Sequence, residues 1–128
     1  MDSASQYEGK TILIVEDDNI SRALYREVFK NKGITTHFMK TGTEALEYFE
    51  NNPVPDLVLM DIRLPDINGL DVSKQILAKY PETRIVAQTT FAHSNMEEAC
   101  FEIGMIAFLN KPISNFSIQK ILTLLDQS

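Results

Sequence analysis

Three short apolar runs in this 128-residue chain each end in charged residues of the kind phosphoryl transfer needs. Residues 11–15 run into Glu16, Asp17 and Asp18, residues 57–60 into Asp61, and residues 107–110 into Lys111 and Pro112. Buried parallel strands read as such uninterrupted apolar runs, and in an open α/β sheet the ligand crevice lies beyond the carboxyl ends of the strands. Were the three runs neighbouring parallel strands, three carboxylates and one ammonium would converge on one small pocket. Like charges packed together resist ionising, so the pocket calls for a cation. Carboxylate oxygens with neither Cys nor His nearby favour a hard ion, Mg²⁺.

The intervening sequence supplies five alternations of strand and helix. After strand one (residues 11–15), Asn19 is a plausible cap for a helix with Ile20, Ala23, Leu24 and Val28 as its apolar stripe, and Gly33 closes it in a left-handed cap. Strand two spans residues 34–38. A second helix begins near Thr41 to Thr43, presents Ala45, Leu46 and Phe49, and stops at Pro53 and Pro55, which lack an amide donor. Strand three spans residues 57–60, and the loop of residues 63–69 leads to a helix with Leu70, Val72, Ile76 and Leu77 on its apolar positions, ended by Tyr80 and Pro81. Strand four spans residues 84–88. Asn95 can cap a fourth helix that is thin in apolar positions and rich in Glu97, Glu98 and Glu102, with Gly104 ending it. Strand five spans residues 107–110, and a last helix runs from about Asn115 to Gln127 with Phe116, Ile118, Ile121, Leu122 and Leu125. Alternating βα units imply one domain with a parallel sheet, helices on both faces and right-handed crossovers.

Composition narrows the function. The chain is 44% hydrophobic and 23% charged, which suits a globular domain with a real core. Its net charge of −6 argues against direct nucleic-acid binding, which needs clustered Lys and Arg. The single Cys100 excludes an internal disulfide and reads as a small buried or half-buried apolar residue. No apolar run approaches the roughly 20 residues of a membrane span. Residues 1–10 have no hydrophobic core and read as a polar leader or linker ahead of a domain over residues 11–128; a cytoplasmic location without membrane contact is expected.

Taken together, four motifs resemble the receiver domain of two-component response regulators, the CheY-like family. They are Val15 to Asp18 after strand one, Met60 to Gly69 after strand three, Thr89 after strand four, and Lys111-Pro112 after strand five. The likeness covers the chain from about Lys10 to Leu125. It implies the doubly wound (βα)5 flavodoxin-like fold with strand order 2-1-3-4-5. It implies that Asp61 accepts a phosphoryl group from a phosphohistidine on a histidine kinase or a histidine phosphotransfer protein. Asp17 would bind Mg²⁺ directly, Glu16 through a water, and Asp61 and the backbone carbonyl of Arg63 would complete the protein ligands, with Mn²⁺ as a second candidate ion. Thr89 and Lys111 would each engage a phosphoryl oxygen. Thr89 and Phe108 would form the switch, read out on the face of the fourth helix, fifth strand and fifth helix, which is also where a weak dimer would form. The Lys111–Pro112 bond would be cis. Asp18 is then left as a solvated or helix-capping residue.

Several positions are particular to this chain. Thr90 stands where the family usually has a smaller residue and narrows access to Asp61. Arg63 and Phe91 flank the site, and their side chains tune how readily water reaches an acyl phosphate, favouring a phosphorylated form that is not exceptionally short-lived. His37 and His93 read as surface residues. Gln88 is polar where an apolar residue is usual, and the sequence offers no account of it. Taken singly, Asp61 reads as a strand-end cap, Lys111 as a solvated charge and Phe108 as core.

Two other functions fit the same fold. One is an inert receiver-like interaction module, which usually lacks the acceptor or an acidic residue that this chain retains. The other is an Asp-nucleophile phosphohydrolase, which typically places a second Asp two residues after the nucleophile, where Arg63 stands here. A flavin site is weaker still, because no Ser/Thr/Gly-rich phosphate loop follows strand one. The receiver reading makes the chain a catalyst only of its own phosphorylation and dephosphorylation. The segments from Glu8 to Asp18 and Lys111 to Ser114 look like receivers fused to hybrid sensor histidine kinases, so the expectation is either a stand-alone regulator or a piece of such a protein.

Overall fold

Runs of Ile, Leu, Val and Met with little polar interruption form strands that are covered on both faces. The computed structural model describes residues 6–90 and 95–128. Its strands are β1 (Thr11–Val15), β2 (Thr35–Met39), β3 (Leu57–Asp61), β4 (Ile85–Thr89) and β5 (Ala107–Asn110). All pair in parallel in the order β2-β1-β3-β4-β5, the order the resemblance implies. The register pairs Val15 with Met60, Asp61 with Gln88 and Thr89 with Asn110, so the carboxyl ends of four strands finish along one edge.

Side chains alternate across a sheet, and the core divides accordingly. Leu13, Val15, Val58, Met60, Ile85 and Ala87 pack toward helices α2 (Gly42–Asn51), α3 (Gly69–Lys79) and α4 (Met96–Ile103). Ile12, Ile14, Leu57, Leu59, Val86 and Leu109 face α1 (Asn19–Phe29) and α5 (Asn115–Asp126). Fully burying one such aliphatic side chain contributes about 1.5–3 kcal/mol, so the two layers supply most of the drive to fold.

The helices depart from the sequence reading in instructive ways. Asp18, not Asn19, caps α1, its Oδ2 accepting from the Ser21 amide at 2.8 Å. The core face of α1 is also not the aliphatic stripe. Tyr25 and Phe29 are buried and stacked 6.0 Å apart, whereas Ile20 is 79% exposed and Leu24 41%. Two aromatics one turn apart bury more area than the aliphatics do, and the helix rotates to seat them. The helix ends at Phe29 with Lys30 as its C-cap, ahead of Gly33; the left-handed conformations fall at Asn31 and Gly33 in the following turn. In α5, Ser114 Oγ accepts from the Ser117 amide, and this cap sets the phase so that Ser117 faces the core and Phe116 is 77% exposed. Asn95 holds the N-cap position of α4 but its side chain makes no capping bond. Strands β2 and β4 each start and finish one residue later than their apolar runs, and β3 extends through Asp61.

Cys100 is buried, which raises its thiol above the ordinary range. His37 is half-buried, its ring 5.2 Å from that of Tyr48, rather than a free surface residue. Phe91 and His93 lie outside the described residues. Tyr7 packs against the α1/α5 layer, and Gly9 N–H donates to Gly33 O at 3.1 Å. Among the described residues, no helix is long and apolar enough to cross a membrane.

Candidate functional site

The carboxyl edge of the sheet gathers the charged residues that end the apolar runs. The Glu16 amide still donates to Met39 O at 2.8 Å, so Glu16 continues the β1 ladder before the chain turns into α1. Its carboxylate is fully buried: Oε2 accepts from the Asp18 amide at 3.1 Å, and Oε1 forms a close ion pair with Lys111 Nζ. Asp61 ends β3, with Oδ1 accepting from the Arg63 amide and Oδ2 from Lys111 Nζ, both at 3.0 Å. Lys111 follows β5. Its amide donates to Thr89 O at 2.9 Å, and its bond to Pro112 is cis. The three terminal runs are not all neighbours, because β4 lies between β3 and β5, and the long Lys111 side chain spans that gap.

Oxygens of Glu16, Asp17 and Asp61 lie within 4.8 Å of one another, with Glu16 and Asp61 buried and Asp17 exposed. A cleft of about 520 Å³ opens onto them, walled by Ile20, Arg63, Thr90 and Pro112. Burial pushes Glu16 up to about 7; Lys111 pulls it down, and the charge of Asp61 raises it further. Burial works to lower the Lys111 ammonium, but the bonds and charges of Glu16 and Asp61 outweigh it and raise that group above its ordinary value. Burial thus keeps the Glu16 carboxylate elevated even beside an ammonium. The all-oxygen donor set and its spacing fit a small hard cation such as Mg²⁺.

Glu16, Asp17, Asp61, Arg63 and Lys111 are therefore brought together. Thr89 and Phe108 lie, by strand alternation, on the other face of the sheet. Thr89 is fully buried at the end of β4, and by alternation it shares the α2/α3/α4 face with Ile85 and Ala87. Phe108 is half-buried against that same layer, paired in register with Ala87. Thr90, not Thr89, lines the cleft.

Sequence reasoning left three features around Asp61 without an account. Asp66, in the loop after Asp61, accepts from the Gly42 and Thr43 amides at 2.8 and 3.0 Å and from the Thr43 hydroxyl at 2.6 Å. The Thr43 hydroxyl first, with the amides beside it, holds the Asp66 carboxyl well below the usual range and straps this loop to the start of α2. Gly69 opens α3 where a Cβ would collide with the Asp61 carbonyl and sit 2.8 Å from Ile62 Cα, so the close approach requires glycine. Gln88 is buried and accepts a hydrogen bond from the Tyr25 hydroxyl. The Pro-Asp-Ile-Asn-Gly stretch carried a signal for the first two, since Asp and Gly in a loop mark backbone bonding and close approach; the third showed only as a polar residue in an apolar run, its partner lying 63 residues away.

Comparison with known proteins agrees with this geometry. The sequence profile described as the response regulator receiver domain matches residues 12–123. The chain is 38% identical over 108 residues to the polar-differentiation response regulator DivK of Brucella ovis, covering 82% of this chain and 86% of that protein. Among solved structures, a CheY-like response regulator receiver domain protein from Methanospirillum hungatei superposes with a TM-score of 0.84 at 27% identity, over 92% of this chain and 94% of that one. The receiver domain of sensor histidine kinase PA1611 from Pseudomonas aeruginosa superposes with a TM-score of 0.81 at 29% identity, over 94% and 99% of the two chains. That structure has a magnesium ion coordinated in its active-site cleft.

Proposed function

The chain belongs to the response regulator receiver domain family of two-component signalling, and we propose that it accepts a phosphoryl group on Asp61 from a phosphohistidine donor, with Mg²⁺ in the acidic cleft. The observation that carries this reading is the convergence of Glu16, Asp17, Asp61 and Lys111 at the ends of β1, β3 and β5.

Asp61 is the nucleophile. One of its carboxylate oxygens bonds to phosphorus as the phosphorus–nitrogen bond to the donor imidazole breaks, the electron pair leaving with the nitrogen. The Arg63 amide fixes the carboxylate through Oδ1, so Lys111 can pass from Oδ2 to a phosphoryl oxygen without freeing Asp61 to rotate. Glu16, Asp17, Asp61 and the Arg63 carbonyl would hold Mg²⁺, which supplies charge neutralisation for the phosphoryl oxygens. Thr89 sits at the β4 end to bond another phosphoryl oxygen, and Phe108 on the same face responds by repacking, carrying the change to α4, β5 and α5.

The donor is a histidine kinase or a histidine phosphotransfer protein. It must bring an imidazole to the mouth of the cleft, where exposed Ile20 and Pro112 offer apolar contact beside the charged cluster. Incubation with acetyl phosphate and Mg²⁺, read by intact mass, tests the chemistry. The wild type gains one phosphoryl group and Asp61→Asn gains none. An unmodified wild type, or an adduct that survives the substitution, points instead to an inert interaction module.

A further inference from the structure

Gln88 is 2% exposed and Tyr25 1%, in the one layer of the core that also carries the acceptor. Gln88 is the register partner of Asp61 on the neighbouring strand, where parallel strands lie about 4.8 Å apart. Alternation puts it on the same face as Asp61 and Glu16. The Tyr25 hydroxyl donates to Gln88 Oε1. Gln88 Nε2 has no hydrogen-bond partner among the described residues.

The polarity of this pair follows from its surroundings. Burial raises the Tyr25 phenol, and the charges of Glu16 and Asp61 raise it further, so it remains protonated at neutral pH and serves as a donor. The amide oxygen therefore takes the phenol, and the amino group is the pole left over. Beside two carboxylates a donor is attracted where an acceptor would be repelled, so the electrostatics favour the same orientation. An unpaired buried donor costs stability that an apolar residue of the same shape would not. Such costs concentrate at functional sites.

We propose that Gln88, oriented by Tyr25, is a positioning residue beneath Asp61, its amino group a fixed donor that supports the acceptor carboxylate when Lys111 moves to the incoming phosphoryl group. This rests on Asp61 being the acceptor. In that step Asp61 bonds to phosphorus while the donor's bond to phosphorus breaks, and the buried carboxylates lose part of the Lys111 ammonium. A donor already in place needs no reorganisation to compensate.

The test compares wild type, Gln88→Met, Tyr25→Phe and the double variant. Three quantities are read: thermal midpoint, Mg²⁺ affinity by calorimetry, and the rate of labelling by acetyl phosphate at saturating Mg²⁺. Gln88→Met is expected to melt at or above the wild-type temperature, to bind Mg²⁺ as the wild type does, and to label about tenfold more slowly. Tyr25→Phe keeps the ring stacked on Phe29 and slows labelling less, and its effect vanishes in the Gln88→Met background because it acts through Gln88. Wild-type labelling in a folded Gln88→Met protein overturns the proposal and leaves the pair as a pin between α1 and β4. Should Gln88→Met not fold, wild-type labelling by Tyr25→Phe overturns it equally. If the wild type binds Mg²⁺ yet takes no label on Asp61, the acceptor reading fails and this proposal with it; labelled wild type with unaffected variants defeats this proposal alone.

Discussion

Lys111 Nζ lies 3.0 Å from Asp61 Oδ2 although a whole strand, β4, separates the strands that carry them. The same ammonium pairs with Glu16 Oε1 from a third strand. One flexible side chain thus balances two buried carboxylates.

Replacing Lys111 by Met removes that balance. Glu16 and Asp61 remain buried without a cation, and Glu16 is expected to titrate higher than its present value of about 7. The variant should lose more stability at about pH 8, where Glu16 is charged, than at about pH 6, where Glu16 can take a proton. Thermal melts at the two values check this; equal losses would contradict it.

On the proposed function, the titration of Glu16 also bears on Mg²⁺ binding. Its folded value of about 7 lies above its ordinary value of 4.5, so its contribution to stability is complete below 4.5 and is lost as pH rises from there to about 7. Were Glu16 to help hold Mg²⁺ as proposed, the ion would have to displace that proton. The rise in melting temperature on adding Mg²⁺ should therefore be larger at about pH 8 than at about pH 5.5, and a chelator should reverse it. A rise independent of pH would exclude Glu16 from the metal's environment.

Asp66→Ala removes three bonds to the start of α2. The expected cost is about 1 kcal/mol, comparable to losing a helix cap. Because its carboxyl is held below the ordinary 3.8, the contribution is present above that value and is lost as pH falls through the folded value. Urea unfolding at neutral and acid pH should show the gap between variant and wild type closing on acidification.

Ile20→Ser separates docking from chemistry. Ile20 lines the cleft and is 79% exposed. Losing that apolar contact should slow transfer from a phosphohistidine protein more than labelling by acetyl phosphate, in a paired comparison of the two rates. Equal slowing would place Ile20 in the chemistry rather than in partner contact.

The order of elements was legible because β1, β3 and β5 are nearly pure apolar runs that lead into charged residues, with helical stripes between the strands. Those ends also identified Glu16, Asp17, Asp61 and Lys111, since a parallel sheet aligns its carboxyl edges. What escaped was everything decided by a distant partner. The apolar pattern of α1 offered two faces, and only the depth of the layer above β1, β3 and β4 selects Tyr25 and Phe29 over Ile20 and Leu24. Gln88 looked anomalous because its partner lies on another element. Asp66 looked like an ordinary turn residue because the amides it serves come 23 and 24 positions earlier.

Strand β4 touches both halves of the interior. Gln88 looks toward the layer that holds Asp61, and Thr89, the next residue, looks toward the layer that holds Phe108. A shift at the end of this one ribbon therefore moves both layers at once, much as a door handle turns on both sides of a door.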